Sequence, residues 1–143
     1  MIRKATRSDV PAMVGMARDF HNASPLASLA FSEKAAAAAC MAAVDGGNNL
    51  AIILDLNGPR GALVAHLTTY PLGDALLAKE DVFWIKPEAR GPWAIKLIRA
   101  YEQWAHDRGA SMVGMSCFAD GRTQKLFASA GFTPAEVNSI KAI

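Results

Sequence analysis

Residues 80–94 read EDVFWIKPEARGPWA, from Glu80 to Ala94. An apolar run, Val82–Ile85, gives way to the breakers Pro87, Gly91 and Pro92, and an amphipathic pattern begins at Trp93. The stretch therefore predicts a strand over Leu76–Ile85, a short loop over Pro87–Pro92, and a helix over 93–108 that Gly109 stops. On that helix Ala94, Leu97, Ile98, Tyr101 and Ala105 line one face, and Lys96, Arg99, Gln103 and Asp107 line another. The first turn of a helix leaves backbone N–H groups unpaired, and the helix dipole favours negative charge there. A loop without bulky side chains lets an anionic group approach those amides, and Arg90 adds a charged, forked donor. The plainer reading is that Arg-Gly-Pro is only the turn that starts the helix.

Outward from this segment the pattern stays regular. Met1–Ala5 suits a short first strand. Ser8-Asp9 caps a helix with Pro11 in its first turn, and Val10, Met13, Val14, Ala17 and Phe20 follow at helical spacing until about Asn22. After a loop over 22–31, Ser32 caps a second helix through the alanine run 35–43, which Gly46-Gly47 ends. Leu50–Leu54 is a wholly apolar strand, Asn57-Gly58 a hairpin turn, and Gly61–Tyr70 the returning strand. Past the 93–108 helix come a strand over Met112–Phe118, a helix from the cap Asp120 to Ala130, and a last strand over Val137–Ile143. The order β, α, α, β, β, β, α, β, α, β describes one α/β domain over residues 1–143 with a mixed sheet, mostly antiparallel, flanked by about four helices.

Hydrophobic residues make up 52% of the 143 and charged residues 20%, which argues for a packed core and against disorder. A formal charge of +2, with no long run of Lys and Arg, gives no footprint for nucleic acid. No apolar run approaches the roughly 18 residues of a membrane span. Cys40 and Cys117 form no CxxC pair and read as buried thiols, and the polar start MIRKATRSD lacks the apolar heart of a signal peptide. The expectation is a cytoplasmic protein without metal or membrane anchor.

The Glu80–Ala94 segment resembles the acetyl-CoA signature of the GNAT family of N-acetyltransferases: an apolar strand, then x-Pro-x-x-Arg-Gly-x-Gly-x-Gly/Ala, then a long helix. The resemblance continues in Leu126-Phe127-Ala-Ser-Ala-Gly131-Phe132, similar to the family's Leu-Tyr-x-x-x-Gly-Phe, and in the opening Ile2-Arg3-Lys4-Ala5-Thr6…Asp9-Val10-Pro11-Ala12. It implies a GNAT-like acyl-CoA N-acyltransferase fold in which the signature strand splays from its neighbour and pantetheine lies in the gap. Trp84, Ile85 and Lys86 would then pair with pantetheine through their main chain. Arg90, Gly91, Pro92, Trp93 and Ala94 would hold the pyrophosphate, and Asp120, Gln124 and Phe127 would add coenzyme contacts. One departure is Pro92-Trp93-Ala94 where the family has Gly-x-Gly: either Trp93 points away and covers the helix, or the phosphate site is weakened. The His21-Asn-Ala-Ser24-Pro25 stretch resembles a His-x-x-Ser-Pro stretch of some bacterial and phage-borne GNAT proteins, in a loop that borders the acceptor site. The resemblance also implies a homodimer, and a final strand over Val137–Ile143 would leave an edge needing cover.

Acyl transfer to an amine needs a deprotonated amine, a polarised thioester carbonyl and a leaving thiolate. Glu80 is the candidate general base, because some GNAT members carry a Glu at this place, acting directly or through water. In a regular strand Glu80, Val82 and Trp84 share a face and Asp81 points the other way. A carboxylate set among apolar residues has its pKa raised toward a useful value. The bland reading is a solvated residue near a strand end. Phe127 stands where many members have a Tyr that protonates the thiolate. Phe cannot do so, but a thiol of pKa about 8.5 is a tolerable leaving group unaided. His66, mid-strand, could face the acceptor, or be a hydrogen-bonded structural His. The rival to the enzyme is a non-catalytic acyl-CoA-binding or protein-interaction module on the same fold. The acceptor stays open among small amines, antibiotics, peptides and protein N-termini.

Overall fold

The computed structural model describes residues 1–118 and 121–143. Its strands are β1 (Ile2–Lys4), β2 (Asn49–Asp55), β3 (Pro59–Thr69), β4 (Leu76–Ile85) and β5 (Met112–Gly114), and its helices α1 (Val10–Ala23), α2 (Glu33–Asp45), α3 (Trp93–Asp107) and α4 (Gly121–Ser129). Single turns of 3-10 helix, Arg7–Asp9 and Pro87–Ala89, precede α1 and α3. The sheet runs β1-β2-β3-β4-β5, antiparallel through the first four strands and parallel between β4 and β5.

Both faces of the sheet are covered, which is why β2 is apolar from Leu50 to Leu54. On one face Leu50, Ile52, Leu54, Leu63, Ala65, Ala78 and Ile85 pack against the Ala94–Leu97–Tyr101–Ala105 stripe of α3. On the other, Ala51, Ile53 and Ala62 meet Met13 and Met16 of α1 and Cys40 and Ala43 of α2. The stripe expected for α3 is the stripe buried. Gly61 allows the close crossing at the start of β3. A Cβ there would come within 3.1 Å of both the Ile85 side chain and the Trp84 carbonyl.

Several boundaries depart from the sequence reading. Ser32 caps α2 as expected, accepting from the Ala35 amide at 3.1 Å. Asp9, by contrast, does not cap α1 with its side chain. Its carboxylate accepts from the Thr6 amide at 2.7 Å and from Arg3 through both terminal guanidinium nitrogens at 2.8 and 2.9 Å. The turn before the helix and β1 thus share one ionic node, which Asp55 extends by accepting from Arg3 Nε. The Met112–Phe118 strand stops at Gly114, because beyond it the chain leaves β4 and has no ladder to join. The expected last strand, Val137–Ile143, does not form: residues 132–143 carry no regular element and pair with no strand. The outer edge of the sheet is therefore β5. The expected cap Asp120 lies outside the described residues.

Candidate active site in the splay between β4 and β5

The parallel pair is short. Leu77, Ala78 and Lys79 match Met112, Val113 and Gly114, and the two strands then part. β4 continues for six more residues, to Ile85, with no strand partner on that side among the described residues. The gap opens into a cleft of about 560 Å³. Its walls are Phe83, Trp84 and Ile85 from β4, Ser116–Phe118 from the departing chain, Phe20 and Ala23 from the end of α1, and Arg122, Thr123 and Leu126 from α4. Arg90, Gly91 and Ala94 close it at the start of α3.

The start of α3 is open and borders the cleft. No side chain caps the helix, which leaves its N-terminus open to a ligand. Gly91, with φ at +148°, sits in a conformation that side-chain-bearing residues avoid, and the space where a Cβ would stand is open. Arg90 donates from Nε to the Ile85 carbonyl at 3.1 Å and lays its guanidinium over the Trp84 ring at 5.1 Å. This holds a positive charge at the edge of the cleft. Trp93 is not among the lining residues. It packs on the α3-side core, with the Lys96 ammonium 4.5 Å from its ring centre. Of the two readings of Trp93, the structure takes the one in which the ring covers the helix. The residues present fit a coenzyme with an apolar arm and a pyrophosphate.

Glu80 sits at the closed end of the splay. Its Oε2 accepts the Ser116 amide at 3.0 Å, so the carboxylate bridges the strands where their ladder ends. The side chain is buried, and desolvation raises its pKa from 4.5 to about 7 against the lowering effect of the Ser116 amide; the Asp81 charge adds a smaller raise. Burial likewise pushes the Tyr101 phenol upward, and the nearby Glu80 charge pushes it further. That phenol donates to the Gly114 carbonyl at 3.0 Å. Glu80 does not share a face with Val82 and Trp84, as a regular strand would require. A bulge intervenes: Val64 pairs with Val82 and Ala65 with Glu80, leaving Asp81 as the extra residue. Ala78 and Glu80 before the bulge, and Phe83 and Ile85 after it, face α3, whereas Trp84 joins the core under α1. Asp81 turns to His66, whose Nδ1 stands 2.8 Å from its carboxylate.

The structure brings together Trp84, Ile85, Arg90, Gly91 and Ala94 as walls of the cleft. It leaves Lys86, Pro92, Trp93, Gln124 and Phe127 outside the lining. Phe127 is buried between Phe83 and Phe132, with ring centres 6.3 and 5.9 Å away. His21, Ser24 and His66 also stand outside it. His21 Nε2 is 2.9 Å from the Leu29 carbonyl, and Ser24 Oγ donates to the His21 carbonyl, so both knit their own loop. Phe20, Ser116, Phe118, Arg122 and Thr123 line the cleft without having been expected there from the sequence, and so does Cys117, which is half-buried rather than buried. They come from separate parts of the chain, and only the phase of α4 relative to Leu126 could have pointed to Arg122 and Thr123. Among the described residues no group of three or more His, Cys, Asp or Glu could hold a metal ion.

A sheet of this order, parting between its fourth and fifth strands beside an open helix N-terminus, is the GNAT acyl-CoA N-acyltransferase fold, and this chain has it. No protein-family model matches the sequence, and no curated protein matches it. Solved structures match over the full length. AAC(6')-Iy in complex with the bisubstrate analogue CoA-S-monomethyl-acetylneamine is similar with a TM-score of 0.81 and 15% identity, over 100% of this chain and 97% of that one. Glucosamine-6-phosphate N-acetyltransferase from Arabidopsis thaliana is similar at TM-score 0.78 and 10% identity, over 99% and 97% of the two chains. A transcriptional regulator from Bacillus halodurans C-125 is similar at 0.81 and 17%, over 100% and 99%. At these identities the likeness is one of fold, and a fold of this kind does not by itself fix an activity.

Proposed function

We propose that the chain is a GNAT-family N-acetyltransferase that moves an acetyl group from acetyl-CoA to a primary amine. The observation that carries this reading is the cleft where β4 leaves β5, with free strand backbone along one wall and an uncapped helix start at its mouth. The pantetheine arm would lie along Phe83–Ile85, where β4 has no strand neighbour on the cleft side among the described residues. The pyrophosphate would rest on the backbone amides at the start of α3, beside Gly91, with Arg90 and Arg122 supplying positive charge. In acetyl-CoA the thioester is the activated acyl group; the chain's part is to hold it, to keep water from it and to take the amine's proton.

Glu80 is the proposed acceptor of that proton. A carboxylate with a pKa of about 7 is matched to a neutral-pH base. It stands behind the cleft wall, so the proton would reach it through a water rather than by direct contact. The thiolate leaves without an acid at position 127. A cytoplasmic homodimer goes with this reading; neither cysteine forms a disulfide, and no helix among the described residues is long and apolar enough to cross a membrane.

A second reading, a non-catalytic acyl-CoA binder, draws support from Glu80 being engaged by Ser116 and from Phe127 offering no proton. Isothermal titration with acetyl-CoA and with CoA tests the shared part: no binding of either removes both readings. Thiol release from acetyl-CoA across a panel of amines and peptides separates them, since only the enzyme releases CoA in step with acceptor.

A further inference from the structure

The walls of the cleft differ in chemistry. Arg90 and Gly91 at the start of α3 and Arg122 of α4 border the part assigned above to the coenzyme. Toward α1 the wall is aromatic. Phe20 of α1, Trp84 of β4 and Phe118 of the chain leaving β5 meet there, and Ala23 completes the wall. The Phe20 ring centre lies 6.5 Å from Trp84, edge to face, and 5.1 Å from Phe118. All three rings are half-buried. Trp84 Nε1 is buried, so the indole shows the cleft only carbon. Among the described residues no Asp or Glu lines the cleft, and its charged side chains, Arg90 and Arg122, are both cationic. Glu80 stands behind the wall, held by the Ser116 amide. The Arg90 guanidinium already lies over the Trp84 ring, where a second cation would otherwise be attracted.

We propose that the acetyl acceptor is a compact monoamine, its amino group carried by a short chain on an aromatic ring that packs against Phe20, Trp84 and Phe118. Resting on the acetyl-transfer reading of the cleft, this gives the acceptor its chemical class. Aromatic walls favour an aromatic body, because rings pair edge to face or offset and apolar surface leaves water on contact. Walls without a carboxylate offer a polycation no partner, and burying an unpaired charge is costly. Arg90 and Arg122 add like-charge repulsion. A monoamine avoids both costs, because it reacts as the neutral base. The lone pair of its nitrogen forms the bond to the thioester carbonyl carbon, and the C–S bond breaks with its electron pair passing to sulfur. The proton shed by nitrogen goes through water to Glu80, which returns it to solvent, and the CoA thiolate takes a proton from solvent. The products are the N-acetyl amide and the CoA thiol. Polyamines, aminoglycosides and lysine-rich peptides fall outside this class.

The test is thiol release from acetyl-CoA by the full-length chain with paired amines. 2-Phenylethylamine and tryptamine should exceed ethanolamine, a short monoamine of similar basicity, by about tenfold or more in kcat/KM, the scale of an apolar group in a matched pocket. They should exceed spermidine and kanamycin by at least as much. Phe20→Ala and Phe118→Ala should each raise the KM for 2-phenylethylamine by about tenfold, with acetyl-CoA affinity in isothermal titration unchanged. Phe20→Leu, which keeps an apolar wall, should recover part of that loss. Ethanolamine, spermidine or kanamycin turning over as well as 2-phenylethylamine overturns the proposal and leaves acetyl transfer standing. So does an unchanged KM in both alanine variants. Acetyl-CoA binding without thiol release for any amine overturns it in favour of the non-catalytic binder. No binding of acetyl-CoA removes the acetyl-transfer reading, and this proposal with it.

Discussion

Replacing Glu80 with Gln should raise stability and lower turnover at the same time, and the structure sets the size of the first effect. The folded protein holds the Glu80 proton at a pKa of about 7, against 4.5 for an ordinary carboxyl. The folded state therefore binds that proton more tightly than the unfolded state. The associated stability is complete below pH about 4.5, and it is lost as pH rises through about 7. The loss amounts to about 3 kcal/mol by pH 8. The amide of the Glu80→Gln variant would keep an acceptor for the Ser116 N–H but has no such titration. In urea unfolding measured from pH 5 to 8, the variant should gain on the wild type by about 2.5 kcal/mol, a midpoint difference of roughly 1–2 M. Contributions from other groups cancel in the difference. Turnover should fall about 100-fold or more, and the acidic limb of the pH–rate profile should vanish, because the amide cannot take the amine's proton. A constant stability difference across the pH range would show that Glu80 is not a desolvated carboxyl. A stability gain with full activity and an intact acidic limb would make Glu80 a strut between the strands and place the base elsewhere.

Other outcomes follow from neighbouring residues. Arg90→Ala should weaken acetyl-CoA binding by roughly 1.5–3 kcal/mol in isothermal titration, the usual range for a lost hydrogen bond to a charged group; unchanged affinity would remove Arg90 from the phosphate site. Phe127→Tyr should not raise turnover, because the ring is buried between Phe83 and Phe132 outside the cleft lining. It should instead cost about 1–3 kcal/mol if its hydroxyl goes unpaired, and a faster enzyme would show that a missing acid limits the rate. Asp9→Ala should destabilise by about 2–3 kcal/mol in urea unfolding, somewhat below a fully buried pair because Arg3 retains 28% exposure. The Arg3 guanidinium holds the Asp9 carboxyl well below the usual range. Its stabilisation is therefore present above the unfolded carboxyl's pKa and fades as pH falls, so the variant should flatten the acid side of the wild-type stability curve.

The sequence by itself determined the local elements. Helical spacing in 93–108, the Ser32 cap, the Asn57-Gly58 turn and the apolar 50–54 run each write a conformation that nearby residues enforce, and the structure places elements at all four. It also located Arg90, Gly91 and Ala94, because a helix start is a local event with a local signature. Tertiary structure decided what depends on a partner distant in sequence. Asp9 answers to Arg3 and Asp55 across the β1–β2 pair, so its role cannot be read from its place before a helix. The bulge at Asp81 exists only as a mismatch between β3 and β4, and it moved Glu80 to the opposite face from Trp84. The cleft depends on where β5 stops following β4, and neither strand's own residues record that point. A strand is half of a pairing, and Val137–Ile143 has the composition of one without a partner in its own chain: propensity is carried by the residues, whereas the ladder belongs to whatever they meet.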